Sequence, residues 1–268
     1  MGEPFRLGRV LARSFDIWRR QLVVLLALAL VVHAPRVAAV EALARLWQVR
    51  GGGEGDAWFL PFVTRQLAIT LIDALFTGLS VAPVVFAVYA RLQGRDARVG
   101  ESLHGGLRRF LPVLRVSLAL AMIAATLSFA AGVAFYYRFM DLNWSLSLFW
   151  AVNIGLALLI ALVLSPFWVA VPAAVVETPG EGLRRSWRLT RGHRLAVWAI
   201  LTLLHAINFG ARWTLAELTS GDVVAEVLWW TAELLLVSLN AVFAAVGYHA
   251  LRLEKEGVDV SKLKDVFA

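Results

Sequence analysis

The chain has 268 residues, 60% of them hydrophobic and only 17% charged, with a mean hydropathy of +0.71. Soluble domains carry about 25% charged residues, so a large soluble domain is excluded and the composition is that of a membrane protein. The net charge of +7 accompanies 11 Trp and long apolar runs, which assigns it to membrane topology and lipid headgroups rather than nucleic acid, and the absence of Cys removes disulfides, thiol chemistry and Cys-ligated metals.

Residues Phe5–Arg20 carry Leu7, Val10, Leu11, Ser14 and Trp18 on one helical face and Arg6, Arg9, Arg13 and Arg20 on the other. That spacing predicts a basic amphipathic helix in the headgroup region. An apolar run from Gln21 to about Val40, with Pro35 near its far end, reads as an uncleaved first span rather than a signal peptide. Val37–Arg50 continues as helix, residues 51–56 form a glycine-rich loop, and Trp58–Phe62 is an interfacial anchor. Span two runs from Gln66 to Ala90, broken late by Pro83, and a basic loop from Arg91 to Arg109 ends in a second amphipathic piece, Ser102–Phe110. Span three is Leu111–Tyr137, and a short loop with Asp141, Asn143 and Trp144 leads on. Span four, Leu146–Val176, would be about 46 Å long as continuous helix against an apolar core of about 30 Å, so Pro166 and Pro172 are expected to kink or break it. After Glu177 the chain turns on Thr178-Pro179-Gly180 into a strongly basic helix. Span five is Leu195–Leu215, span six Val223–Ala250, and Leu251–Ala268 is a polar, charged tail.

The fold class expected is therefore an all-α integral membrane protein with six transmembrane helices. Arg and Lys concentrate in residues 1–20, 91–110, 177–194 and 251–268, which places both termini in the cytoplasm by the positive-inside rule. The basic elbows also resemble one another. Leu11–Ile17 can be laid on Leu183–Leu189, and Gly106-Leu107-Arg108-Arg109 on Gly182-Leu183-Arg184-Arg185. Similarly placed prolines, Pro83 and Pro172, and the shared endings at Tyr89 and Tyr248 extend the likeness. Three copies of a basic amphipathic helix plus a membrane hairpin follow, at residues 5–92, 100–177 and 180–253, with a polar tail over 254–268 and no second domain.

The block Val171–Glu177 followed by Gly182–His193, with Leu7–Phe15 and Gly100–Leu103, resembles the membrane domain found beside some glycerophosphoryl diester phosphodiesterases and also as stand-alone bacterial proteins. The resemblance spans nearly the whole chain. It implies a six-span helical fold in a bacterial cytoplasmic membrane, and no catalytic residues carry over. The phosphodiesterase barrel needs about 250 residues of alternating strands and helices, which this chain does not supply.

Enzyme motifs are missing from the sequence: there is no P-loop, dinucleotide fingerprint, HExxH or nucleophile elbow, and the five His have no metal-ligand spacing. No cofactor is expected. Two sets of residues remain as candidates. Arg184, Arg185, Arg188, Arg191 and His193, with Arg108, Arg109 and Arg13 on the other elbows, suit anionic headgroups, since Arg forks match phosphate oxygens; topology determination alone would also require such residues. Arg36, Asp73, His205, Arg212, Glu226 and Glu233 are intramembrane polar groups, each needing a partner or a wet cavity. They read either as a polar cavity or as structural pairs such as Arg36 with Asp73 and Arg212 with Glu226. Glu177 is placed to cap the basic helix or pair with Arg184 or Arg185. The functional expectation is a non-enzymatic membrane protein that binds or organises anionic lipid, or accompanies lipid-handling machinery, with membrane lipids as partners. A small-solute or ion transporter using the acidic cluster is the alternative.

Overall fold

The computed structural model describes residues 5–50, 59–96, 98–141, 146–177, 180–218 and 223–257. The described chain is helical: α1 (Leu7–Arg20), α2 (Leu22–Arg50), α3 (Phe59–Leu92), α4 (Val99–Arg108), α5 (Phe110–Asp141), α6 (Leu146–Leu164), α7 (Ala170–Val176), α8 (Gly182–Thr190), α9 (Arg194–Leu218) and α10 (Val223–Glu256), with a 3-10 turn at Ser165–Phe167 between α6 and α7. Five segments are long and apolar enough to cross a membrane: Leu22–Trp47, Phe110–Leu127, Ile154–Val176, Arg194–Leu215 and Val227–Glu256. The sixth expected span lies in α3, a 34-residue helix whose described apolar stretch, Leu79–Leu92, is shorter. The loop at 51–56, Trp58 and the turn with Asn143 and Trp144 lie outside the described residues.

Burial separates two kinds of long helix. The apolar window of α10 is 67% buried, and its Val242, Phe243, Val246 and Tyr248 meet Val84, Val85, Val88 and Tyr89 of α3 with Val169, Ala173 and Val175 around α7. Helices α2, α5 and α9 give this core only one face, with Leu25, Leu28, Val113, Ile200 and Leu204, and leave Val23, Met122, Leu195 and Phe209 exposed. Apolar side chains facing outward along whole helices are what a lipid solvent accepts and water does not.

The three short helices sit at the end of the bundle where α3, α7 and α10 terminate. Each packs on the end of a returning helix: α4 on α3, α8 on α7, and α1 on α10. Close approach is written into the sequence. A Cβ on Gly106 would stand 2.7 Å from the Pro83 ring, and one on Gly182 would stand 2.9 Å from the Ala170 carbonyl oxygen. Only glycine lets these helices lie flat on their partners. Phe15 of α1 meets Phe243 of α10 edge-on at 5.4 Å, and Trp18 Nε1 donates to Ser238 Oγ at 3.0 Å. Buried positions recur one turn apart, at Val10 and Ser14, Ser102 and Gly106, and Gly182 and Ser186.

The prolines behave differently from one another. Pro83 does not break α3, which runs through it, and Pro35 likewise lies inside α2. Pro172 falls in the first turn of α7, where no intrahelical donor is required of it. Pro166 breaks its span as expected, in the 3-10 turn. A broken helix inside an apolar layer strands backbone carbonyls, which must then find donors from side chains. Here Ser186 Oγ donates to the Pro166 carbonyl at 2.8 Å and Thr190 Oγ1 at 3.2 Å, both fully buried. The break and the seat of α8 are one feature. Ser186→Ala with Thr190→Val leaves that carbonyl unpaired, and the expected loss is about 1–3 kcal/mol. Equilibrium unfolding in detergent checks it, with Thr214→Val, an exposed intrahelical hydroxyl on α9, as a control that changes little.

Candidate functional site

Two charged clusters are built along the bundle. The interior one begins at Arg36, about 21 Å along α2 from Leu22 at 1.5 Å per residue. Its Nε donates to Asp73 Oδ1 of α3 at 2.8 Å, and its Nη1 lies 3.6 Å from Glu233 Oε1 of α10 and 2.6 Å from His33 Nε2. One guanidinium thus cross-links three helices. His33 Nε2 also lies 3.8 Å from Glu233 Oε1. A nitrogen that accepts from arginine has no proton to donate, so in this arrangement His33 is neutral at Nε2 and the pairing of Glu233 is with Arg36. His33 and Glu233 are both buried, and the Trp230 ring stands edge-on to the imidazole at 6.2 Å.

The second cluster closes the end of the bundle where the short helices lie. Glu177, the last residue of the broken span, presents Oε1 to Tyr248 Oη at 2.6 Å, Arg185 Nε at 3.1 Å and Arg252 Nη1 at 3.4 Å. Arg252 Nη1 donates to Tyr248 Oη at 3.2 Å, and its Nε to Glu256 Oε2 at 3.2 Å. Arg185 Nη2 completes the circuit by donating to Glu256 Oε2 at 2.6 Å. Two carboxylates face two guanidiniums, so the ring is neutral, and the side chains of Glu177, Arg185 and Arg252 are only 19%, 16% and 11% exposed. Burial works against the Arg185 charge, but the hydrogen bond to Glu256 and the charges of Glu177 and Glu256 outweigh it and hold its pKa above the ordinary arginine value. The Tyr89 ring of α3 stands edge-on to Tyr248 at 6.4 Å. The ends of α3, α7 and α10 thus meet here, through Tyr89, through Glu177, and through Tyr248, Arg252 and Glu256.

Most of the basic face expected on α8 is consumed locally. Arg185 is held in the ring, Arg188 lies 3.8 Å from Glu181, and His193 Nε2 is 3.0 Å from Glu254 Oε2. Lys255 Nζ donates to the Arg188 carbonyl at 3.0 Å and to that of Arg191, which caps the C-terminus of α8. Arg194 stacks over the Trp187 ring at 4.1 Å. Arg184, Arg191, Arg108, Arg109 and Arg13 have no carboxylate at ion-pair distance among the described residues, and all but the half-buried Arg109 are exposed. The expected polar tail from Leu251 is instead a continuation of α10 to Glu256, and its last turns supply the ring.

Of the intramembrane candidates, the structure brings together Arg36, Asp73 and Glu233. His205 is exposed on α9, with Nδ1 2.9 Å from the Leu201 carbonyl oxygen, and is not part of the cluster. The side chains of Arg212 and Glu226 lie outside the described residues. Sequence reasoning missed His33, although it stands three residues before Arg36 and so shares its helix face. It also missed Tyr248, Arg252 and Glu256 as a set, although four-residue spacing puts them on one stripe. No family model matches the chain, and no curated protein or solved structure matches it either.

Removing Arg36 leaves two carboxylates facing one another without their shared cation. Arg36→Gln is expected to cost roughly 3–5 kcal/mol, and adding Glu233→Gln to restore part of it. A double-mutant cycle of unfolding in detergent measures the coupling. In the second cluster, Glu177→Gln weakens charge-assisted bonds of about 1.5–3 kcal/mol each, and faster hydrogen exchange in α8 than in α5 is the expected readout.

Proposed function

We propose that this is a non-enzymatic, six-span protein of a bacterial cytoplasmic membrane, both termini cytoplasmic, that binds or organises anionic phospholipid at the headgroup level. One observation carries the reading. On the short helices α1, α4 and α8 one face, with Val10, Ser14 and Ile17, Ser102 and Gly106, and Gly182, Ser186 and Leu189, is buried against the bundle, while Arg13, Arg108, Arg184 and Arg191 are exposed without carboxylate partners among the described residues. A guanidinium near an anionic surface contributes about 1 kcal/mol, and several on one rim act together. The packing of α4 on α3, α8 on α7 and α1 on α10 supports three related units closed in a cycle. The likeness to membrane domains that accompany glycerophosphoryl diester phosphodiesterases belongs to the same proposal and suits a protein working beside lipid-handling machinery. The interior cluster has a structural part in this reading, because its charges answer one another across α2, α3 and α10.

The test is lipid retention. Protein purified from a mixed-lipid membrane is expected to carry phosphatidylglycerol in excess over phosphatidylcholine by native mass spectrometry. The triple variant Arg108→Gln, Arg184→Gln, Arg191→Gln is expected to lose that excess by about tenfold or more. Equal enrichment in the variant and the parent would sink the reading.

A further inference from the structure

We infer that the cleft between the first turns of α1 and the last turns of α10 is a specific site for a phosphate-bearing lipid headgroup. The inference rests on the lipid-binding reading and narrows it to one place on the molecule. The cleft is small and partly open to solvent. Arg6, Arg9 and Arg13 stand on its α1 wall, and Phe5, Val10, Val246, Ala250 and Leu253 give it apolar surface.

The arginines are spaced by three and four residues, so they form one stripe along α1. They also occupy the N-terminal half of the helix, where the helix dipole is positive, and the first turn holds no acidic residue to offset it. Asp16, the carboxylate of this helix, is engaged at the other end, 2.8 Å from Arg20 and 3.7 Å from Arg19. Arg6 and Arg13 have no ion-pair partner among the described residues. On α8, by contrast, carboxylates of α7 and α10 meet Arg185. An anion at the α1 stripe therefore offsets the positive helix end and the charges of Arg6 and Arg13, and guanidinium forks match phosphate oxygens. The apolar surface decides between the two sources of phosphate. A free phosphate ion gains nothing from Phe5, Val246 and Leu253, whereas the glycerol and first methylenes of a lipid cover them.

The experiment titrates the full chain, in an uncharged detergent, with dioctanoyl phosphatidic acid, dioctanoylglycerol and inorganic phosphate, and counts bound ligand by native mass spectrometry. One phosphatidic acid per chain is expected to bind at least about tenfold more tightly than either of the other two. Arg6→Gln with Arg13→Gln is expected to weaken it about tenfold or more, while Arg45→Gln, an exposed cation paired with Glu41 on α2, shifts it by less than about twofold. Because Arg6 and Arg13 are exposed, an unchanged unfolding transition should accompany the cleft variant. Arg6→Lys with Arg13→Lys, which keeps the charge and loses the forks, is expected to fall between parent and Gln variant. Unaltered binding in the cleft variant, with a loss of about tenfold or more in Arg184→Gln with Arg191→Gln on α8, overturns the cleft and leaves general lipid binding standing. Phosphate binding as tight as the lipid overturns the headgroup assignment. No preference for phosphatidic acid over dioctanoylglycerol in the parent overturns the site, and the phosphatidylglycerol retention measurement then decides whether lipid binding falls with it.

Discussion

One carboxylate oxygen, Oε1 of Glu177, accepts from the Tyr248 phenol and the Arg185 guanidinium and lies 3.4 Å from that of Arg252, groups that belong to two other helices. Such convergence is stable only where the charges balance, since an unmatched ion at low exposure costs several kcal/mol. Glu256 supplies the balance: it takes the second arm of Arg185 and the Nε of Arg252. The result ties the end of the broken span, the elbow helix α8 and the last turns of α10 into a closed circuit, and Tyr248 carries it to Tyr89 on α3. Glu177 thereby sets where the ends of α7, α8 and α10 can lie.

The same region answers a second constraint, from the backbone. A proline break in an apolar span leaves a carbonyl that no intrahelical donor reaches, and the hydroxyls of Ser186 and Thr190 reach it from α8. Helix α8 is thus held on three sides: by hydroxyls on the break, by Arg185 in the ring, and by Lys255 at its C-terminal carbonyls. Its arginines divide accordingly. Those turned inward serve the architecture, and Arg184 and Arg191, turned outward, remain for a partner. A count of basic residues cannot make that division, because it depends on which carboxylates the fold delivers.

Periodicity and hydropathy were enough to locate the long helices, the three amphipathic elbows and the break at Pro166, because each is a property of a local window. They misjudged Pro83, whose helix continues through it against Gly106, because whether a proline ends a helix depends on what packs around it. The pairing of Arg36 with Asp73 was also legible, since charges at matching depth in an apolar layer must find one another. His33 escaped notice because a lone histidine is uninformative until its helix face is known. The ring around Glu177 escaped for a different reason. Arg252 and Glu256 read as a solvated tail, and only the continuation of α10 to Glu256 turns them toward α8.

Both clusters end on α10, at different heights and with different partners. Glu233 binds it to α2 through Arg36, and some 22 Å along the helix at 1.5 Å per residue Tyr248, Arg252 and Glu256 bind it to Glu177 and α8. A sliding or tilting α10 would break one set of charge pairs or the other, so it acts as the fixed post of the bundle. Against that post α1 is fastened in another way, by the edge-on contact of Phe15 with Phe243 and the indole hydrogen bond of Trp18 to Ser238. These contacts need no charge from α1. Ion pairing fastens α8 and neutralises Arg185 in doing so, whereas ring packing fastens α1 and leaves Arg6 and Arg13 without ion-pair partners among the described residues. The mode of attachment of each elbow thus decides how many of its cations are spent on holding the fold.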